Sequence, residues 1–307
     1  DIILELSAPT MTHSITSLHY FNKNLNDSQR QAVIKAMDSN SISLIQGPPG
    51  TGKTSVISEI VQQILSKSSP SDIPPKILVV SQSNTAVDNI LEGIFSWNSG
   101  EKIRVVRIGD KTKVSKDVAT NYLVDAIKDK LFENVHNLST QFVKDKLAVY
   151  TVLESDDQRI QESKISNLTV WRKAEEIQED WLKRCGDYNA LRYQIINSSA
   201  IIAGTCVGFL SDENVRDMIF DYVIVDEAAK ATTPELLVSI VKANKIVLVG
   251  DQNQLPPFAD GSLSQLSTSL VKDPQYRLFD ILFDSLPETH KQFLSTQYRM
   301  CSTIGNL

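Results

Sequence analysis

Continuous apolar runs of strand length alternate along this chain with stretches whose apolar positions recur every three or four residues. The runs at 42–46, 76–81, 201–205, 222–226 and 245–250 are apolar and β-branched at successive positions rather than at every second one. That is the pattern of strands buried on both faces of a parallel sheet. A further strand is predicted over 104–108. Residues 26–37 open on Asn-Asp-Ser and then carry apolar residues at helical spacing, which predicts a helix ending in the polar turn Asp38-Ser39-Asn40-Ser41. Helices are predicted likewise over 53–65 and 85–95, with polar residues 66–71 as a connection. Strands alternating with helices predict an α/β fold built on a doubly wound parallel sheet.

The pattern changes between 109 and 198. The sequence there is long, charge-rich and helical, with Leu123, Ile127, Leu131, Val135 and Leu138 spaced by three or four. It predicts a helical hairpin inserted into the sheet domain. Its charged face reads first as a solvated helix surface and second as a grip on nucleic acid. The expected organisation is an N-terminal segment over 1–24, the end of an accessory subdomain; one nucleotide-binding domain over 25–109 and 199–307; and a helical insertion over 110–198.

With 307 residues, 41% hydrophobic and 22% charged, the chain can bury a substantial core and is long for one compact domain. The net charge of −6 excludes a uniformly basic surface, so any nucleic-acid site is a local groove. Cys185, Cys206 and Cys301 stand at unrelated spacings, away from the four histidines, which excludes a disulfide framework and a zinc pattern. No apolar run approaches the roughly 20 residues that span a bilayer. The expectation is an intracellular protein, cytoplasmic or nuclear, with no membrane partner, in which the sequon Asn137-Leu138-Ser139 is a chance match. The first residue is Asp and the last residues follow a strong motif, so the chain is expected to be a fragment.

The clearest chemistry is Gly47-Pro48-Pro49-Gly50-Thr51-Gly52-Lys53-Thr54, which matches G-x-x-x-x-G-K-[ST] between a predicted strand and a predicted helix. Glycine-rich backbone at a helix N-terminus brings several N–H groups close to phosphate oxygens. Lys53 would neutralise the β and γ phosphates and Thr54 would ligate Mg2+. Asp226-Glu227 closes the strand 222–226 at the carboxyl edge, where ligands of open α/β sheets sit. Asp226 can hold Mg2+ through water, and Glu227 can orient and deprotonate an attacking water. After the next strand, Gly250-Asp251-Gln252-Asn253-Gln254-Leu255-Pro256-Pro257 reads either as an Asp/Asn/Pro turn or as a γ-phosphate sensor in which Gln254 makes the contact.

These motifs stand in a fixed order with Leu25-Asn26-Asp27-Ser28-Gln29, Ser81-Gln82-Ser83-Asn84-Thr85-Ala86-Val87-Asp88, Gly204-Thr205-Cys206-Val207-Gly208 and Gln297-Tyr298-Arg299-Met300. Over about 24–110 and 199–307 the set resembles the first RecA-like P-loop NTPase domain of superfamily-one helicases, in the branch of senataxin and the nonsense-mediated decay helicase. The resemblance implies ATP and Mg2+ as cofactors, with Gly47, Pro48, Gly50, Thr51, Gly52, Lys53 and Thr54 around the phosphates. By the same resemblance Gln29 reads the adenine edge, Tyr298 stacks on the base and Arg299 reaches toward the phosphates. Ser83, Asn84, Thr205 and Val207 look like single-strand contacts, on a face opposite the nucleotide loops. Short polar side chains there suit a sugar-phosphate backbone and carry no sequence information. The implied activity is ATP-driven translocation, 5' to 3', along single-stranded RNA or DNA. The implied partners are a second RecA-like domain that supplies arginine fingers and a protein that docks on the insertion.

One position departs from that pattern, because Lys230 follows Asp226-Glu227-Ala228-Ala229 where the family usually has Gln. It would either supply charge to the transition state or point into solvent. Without a second domain the fragment is expected to bind nucleotide and hydrolyse it weakly. Two other functions fit parts of the sequence. A nucleotide-gated binding scaffold uses the same loop without movement along a strand. A metabolic P-loop kinase leaves Asn84, Thr205 and Tyr298 without a role.

Overall fold

The computed structural model describes residues 18–67, 73–95, 104–151, 158–185, 188–254 and 277–298. The chain divides into two compact units, one built from residues up to Ala119 and from Ser199 onward, the other spanning Thr120–Ser198. The first holds a seven-stranded sheet of β1 (Ile42–Gln46), β2 (Ile77–Ser81), β3 (Val105–Arg107), β4 (Ile201–Thr205), β5 (Phe220–Asp226), β6 (Ala243–Gly250) and β7 (Lys291–Phe293). The helices, in chain order, are α1 (Asp27–Asp38), α2 (Lys53–Ser66), α3 (Asn84–Phe95), α4 (Lys116–Asn121), α5 (Val124–Thr151), α6 (Gln158–Cys185), α7 (Tyr188–Ser198), α8 (Glu213–Arg216), α9 (Thr233–Ile240) and α10 (Leu278–Ser285).

The strand order is β3-β4-β2-β5-β6-β1-β7, and every pairing is parallel. All residues of β1 and β2 are buried, whichever side they point to, so both faces of the sheet are covered. The register aligns Ser81 with both Asp226 and Thr205, and Gln46 with Gly250. Parallel strands all end at one edge, so the segments leaving β1, β2, β4, β5 and β6 emerge side by side there.

Local sequence explains the helix starts that frame this edge. Asn26 caps α1 through its side chain, and Gln29 closes the capping box by accepting the Asn26 N–H. Thr232 and Glu235 form the same device on α9, with Pro234 in its first turn. At α2 the cap is Gly52, with no side-chain acceptor and no acidic residue in the first turn, so its leading N–H groups remain open to an anion. Val56, Ile57, Ile60, Val61 and Ile64 bury the inner face of α2.

The segment before α1 is tied down by a charge within that helix bundle. Glu59 of α2 is 1% exposed, and its carboxylate accepts the N–H groups of Phe21 at 3.0 Å and Asn22 at 2.8 Å. Gln63 donates to the His19 carbonyl at 2.7 Å.

In the helical unit α5 packs on both α6 and α7, so two long helices and a shorter third stand where the sequence reading has a helical hairpin. Phe142 meets Trp171 edge to face at 5.8 Å, Gln178 donates to Ser139 and Thr140, and Arg192 pairs with Asp125. The apolar stripe is buried at Leu123 but exposed at Leu131, Val135 and Leu138. No described helix is long and apolar enough to cross a membrane.

Candidate active site

The carboxyl edge holds a cavity of about 470 Å3 whose walls are the loop after β1, the acids ending β5, the turn after β6 and Tyr298. The loop is shaped by backbone that demands glycine: Gly50 and Gly52 have φ of 81° and 80°. A Cβ on Gly52 would stand 2.4 Å from Gln29 Nε2, and one on Gly47 would stand 2.5 Å from Thr51 Oγ1. Gly47 N–H donates to the Gly250 carbonyl, and the Thr51 hydroxyl donates to the Pro48 carbonyl. Lys53 curls back on the loop, with Nζ 2.7 Å from the Gly47 carbonyl and 3.2 Å from that of Pro48. Burial lowers the Lys53 ammonium below the usual lysine range, while Asp226 and Asp251 pull it back up.

Across the cavity stand Asp226 and Glu227. Asp226 is 7% exposed, and its Oδ1 is buried without a hydrogen-bond partner. Burial pushes its carboxyl up to about 6, helped by the Glu227 charge and opposed by the Glu227 N–H, Lys53 and Lys230. A buried acceptor with no donor is costly unless something fills the place of the donor. That oxygen and the hydroxyl of Thr54 on the cavity wall are hard oxygen donors of the kind that could hold a magnesium ion shared with substrate phosphates. The residues therefore fit the metal that the loop implies.

Glu227 is the one non-glycine residue at positive φ among the described residues, with φ 52° and ψ 32°. Holding a side-chain-bearing residue in that region costs about 1 to 2 kcal/mol. Glu227 Oε1 lies 2.7 Å from Lys230 Nζ, and its Oε2 accepts from the Ser83 hydroxyl at 3.4 Å.

The turn after β6 brings Asp251 and Gln254 to the same cavity, where Gln254 Nε2 donates to Asp251 Oδ2 at 3.1 Å. Tyr298 reaches the loop through its backbone, donating to the Gly50 carbonyl at 2.8 Å, and its hydroxyl accepts from Asn26 Nδ2 at 2.7 Å. The residue is 61% exposed. Gln29 sits behind the loop, not on the cavity wall, and its Nε2 donates to the Thr51 carbonyl at 2.9 Å. Gly47, Pro48 and Thr51 likewise form the back of the loop, whereas Gly50, Gly52, Lys53 and Thr54 line the cavity. Arg299 lies outside the described residues, as do Leu255, Pro256 and Pro257.

The four residues read as strand contacts stand at or just after the ends of the neighbouring β2 and β4, and none of the four is among the residues that line the cavity. Their placement corrects one expectation. Because every strand is parallel, they project from the same edge as the nucleotide loops and not from an opposite face. Val207 is 48% exposed, and the Thr205 hydroxyl accepts from Gly208 N–H. Asn84 Oδ1 accepts from Arg107 Nη2 at 2.7 Å, which turns the NH2 group of Asn84 away from Arg107.

Sequence reasoning gave no role to four residues. Ala86 and Asn89 of α3 line the cavity, Ala86 within the 81–88 motif but without an assigned contact and Asn89 just beyond it. Arg107 and Asp88 form a buried ion pair at 3.3 Å under the start of α3, signalled only by a charged residue ending an apolar strand.

The model of the AAA domain family matches residues 24–260. The chain belongs to the AAA domain family, in its Upf1-like superfamily-one helicase branch. It is 29% identical to an uncharacterised ATP-dependent helicase of Methanocaldococcus jannaschii, over 94% of this chain and 44% of that protein. It is 31% identical to the DNA polymerase alpha-associated DNA helicase A of Schizosaccharomyces pombe, over 95% of this chain and 39% of that protein. The ATP-dependent helicase upf1 of the same yeast is 31% identical over 81% of this chain and 24% of its own length. The chain thus spans less than half the length of each of these relatives.

Proposed function

We propose that this chain is the ATP-binding motor domain of an ATP-dependent helicase or translocase acting on single-stranded RNA or DNA, 5' to 3'. The observation that carries the reading is Asp226 and Glu227 facing Lys53 and Thr54 across one cavity at the sheet edge.

In this mechanism the N–H groups at the start of α2 bind the β and γ phosphates, and Lys53 exchanges the Gly47 and Pro48 carbonyls for phosphate oxygens. Thr54 and Asp226 hold Mg2+, which when bound neutralises charge on the phosphates. Glu227 takes a proton from water as that oxygen bonds to the γ phosphorus and the bond to the β,γ-bridging oxygen breaks. Gln254 meets the γ phosphate and passes its presence or loss to the rest of the protein. Tyr298 stacks on the adenine and Arg299 reaches the phosphates, as the family resemblance implies, while Gln29, with its amide committed to Asn26 and Thr51, shapes the loop from behind. Ser83, Asn84, Thr205 and Val207 hold the sugar-phosphate backbone without regard to sequence.

The full activity belongs to a longer protein with a second RecA-like domain, whose arginine fingers are worth about 10^3 to 10^5 in rate. This chain alone binds nucleotide and turns it over weakly. Residues 25–109 and 199–307 form the motor domain, 1–24 end an accessory subdomain, and the helical insertion 110–198 receives a protein partner. The protein works in the cytoplasm or nucleus. The Lys230 contact on Glu227 favours a second reading, a nucleotide-gated scaffold that does not move along a strand.

ATP hydrolysis by the full-length natural protein, measured with single-stranded RNA and single-stranded DNA in parallel and with Glu227→Gln as control, tests both. Stimulation that is lost in the variant supports the motor; strand-independent turnover supports the scaffold.

A further inference from the structure

Arg107 closes β3 with its side chain fully buried, and each of its polar contacts is a donation. Nε holds Asp88 Oδ1 at 3.3 Å, Nη1 donates to the Ile108 carbonyl, and Nη2 donates to Asn84 Oδ1 at 2.7 Å. Asp88 is itself pinned, because its other oxygen accepts the Ser115 N–H at 2.7 Å. A guanidinium has five N–H donors and no acceptor, so the Asn84 atom that faces it must be the oxygen. The orientation of that amide is thereby fixed from inside the fold, and its NH2 group points the other way.

Asn84 is half-buried, and its Nδ2 meets no acceptor among the described residues. Nor is Nδ2 one of the buried polar atoms left without a partner, so it reaches solvent. Asn84 also opens α3, whose first turn carries no acidic residue to repel an anion, so the NH2 group lies at the positive end of that helix. Donation to Oδ1 by a buried cation draws electron density toward that oxygen and makes the NH2 hydrogens stronger donors. A polarised donor with one fixed direction suits a ligand group that only accepts, and a phosphate oxygen of a nucleic-acid strand is such a group.

We infer that Arg107 is a positioning residue for strand binding: it locks the Asn84 carboxamide with the NH2 group outward, so that Asn84 serves a strand phosphate as a donor only. The inference rests on the motor reading above and deepens it by naming which atom of Asn84 meets the strand and what holds that atom in place. Arg107 is buried and touches no strand itself; it acts through Asn84.

The test is fluorescence anisotropy of labelled oligouridylate and oligothymidylate with the full-length natural protein over a range of salt, beside thermal unfolding of each sample. The variants are Asn84→Ala, Asn84→Asp, and the pair Arg107→Met with Asp88→Leu, the last with and without Asn84→Ala. Asn84→Ala removes the donor and should weaken binding about tenfold, the scale of one hydrogen bond to a charged group. Asn84→Asp keeps an oxygen for Arg107, so it should unfold no earlier than wild type. It turns a charged acceptor toward the phosphate, however, and should bind roughly a further tenfold more weakly. That extra loss should shrink as salt rises, whereas the loss in Asn84→Ala should not, because only the Asp variant adds a charge. In the paired variant the amide is free to turn, so Asn84→Ala should cost only about two- to threefold there. If the paired variant does not fold, the comparison of Asn84→Asp with Asn84→Ala decides alone. Asn84→Asp that binds no worse than Asn84→Ala, or an Asn84→Ala loss of the same size in the paired variant, overturns the role of Arg107 and leaves the motor reading in place. A wild type that binds neither strand, or whose ATP turnover neither strand stimulates, overturns the motor reading and this inference with it.

Discussion

Arg107, with none of its surface exposed, holds Asp88 at 3.3 Å through Nε while its Nη2 holds Asn84 Oδ1 at 2.7 Å. The second oxygen of Asp88 accepts the Ser115 N–H, so one ion pair joins β3, the start of α3 and the segment leading into α4. Removing one partner of a buried pair leaves the other charged and unsatisfied, at a cost of about 3 to 5 kcal/mol. Arg107→Met should therefore lose most of that range in chemical denaturation. Replacing Arg107 and Asp88 together by apolar residues should cost much less than the sum of the single changes. Equal and additive costs would show that the two side chains do not depend on each other.

Gln29 has two structural duties, accepting the Asn26 N–H as part of the α1 cap and donating to the Thr51 carbonyl behind the phosphate loop. Gln29→Ala should lose about 1 kcal/mol of stability from the cap. It should also weaken nucleotide binding by roughly tenfold, because the loop must then be ordered at the expense of binding energy. Calorimetric titration with nucleotide, beside thermal unfolding of the same samples, separates the two effects. Unchanged affinity with lowered stability would confine Gln29 to the cap.

The sheet was legible where burial on both faces leaves an unbroken apolar run, as in Ile77-Leu78-Val79-Val80. β7 was not, because Lys291-Gln292-Phe293 carries no such run, and its pairing with β1 decides its conformation. Helical periodicity in the insertion predicted helix but not which side packs: along that stripe Leu123 is buried, whereas Leu131, Val135 and Leu138 are exposed. At the site, residues tied to one loop could be named from spacing, since the geometry around Lys53, Thr54, Asp226 and Glu227 is set by their own strand ends. Contacts across long stretches of chain could not: Ser83 meets Glu227, and Glu59 holds Phe21 and Asn22, only because the folded backbone brings them together.

Lys53 and Thr54 do different work on the same ligand, and their variants should show it. Nucleotide raises the unfolding temperature of a protein that binds it only when folded. Lys53→Ala should lose most of that rise with or without magnesium, since it removes the cation facing the phosphates. Thr54→Ala should keep the magnesium-free part and lose the increment that magnesium adds. Thermal shift at fixed nucleotide, with and without the metal, reads both outcomes. A magnesium increment that persists in Thr54→Ala would remove its hydroxyl from the metal site.

Asp226 is held in a place that suits a metal ion and penalises the empty carboxylate. Burial, and then the neighbouring Glu227 charge, raise its carboxyl to about 6 from the ordinary 3.8. Between those two pH values the folded state holds the proton more tightly than the unfolded state, so this group destabilises the fold increasingly as pH rises, with a constant penalty above about 6. At 1.36 kcal/mol per unit the full penalty is about 3 kcal/mol. Asp226→Asn cannot ionise, so in divalent-free buffer its stability relative to wild type should climb from pH 4 to pH 6 and then level off. Magnesium with nucleotide should narrow that gap, because it stabilises only the carboxylate. Denaturant midpoints for both proteins across that pH range provide the measurement. A gap that stays flat from pH 4 to pH 6 would mean that Asp226 is well solvated or already paired.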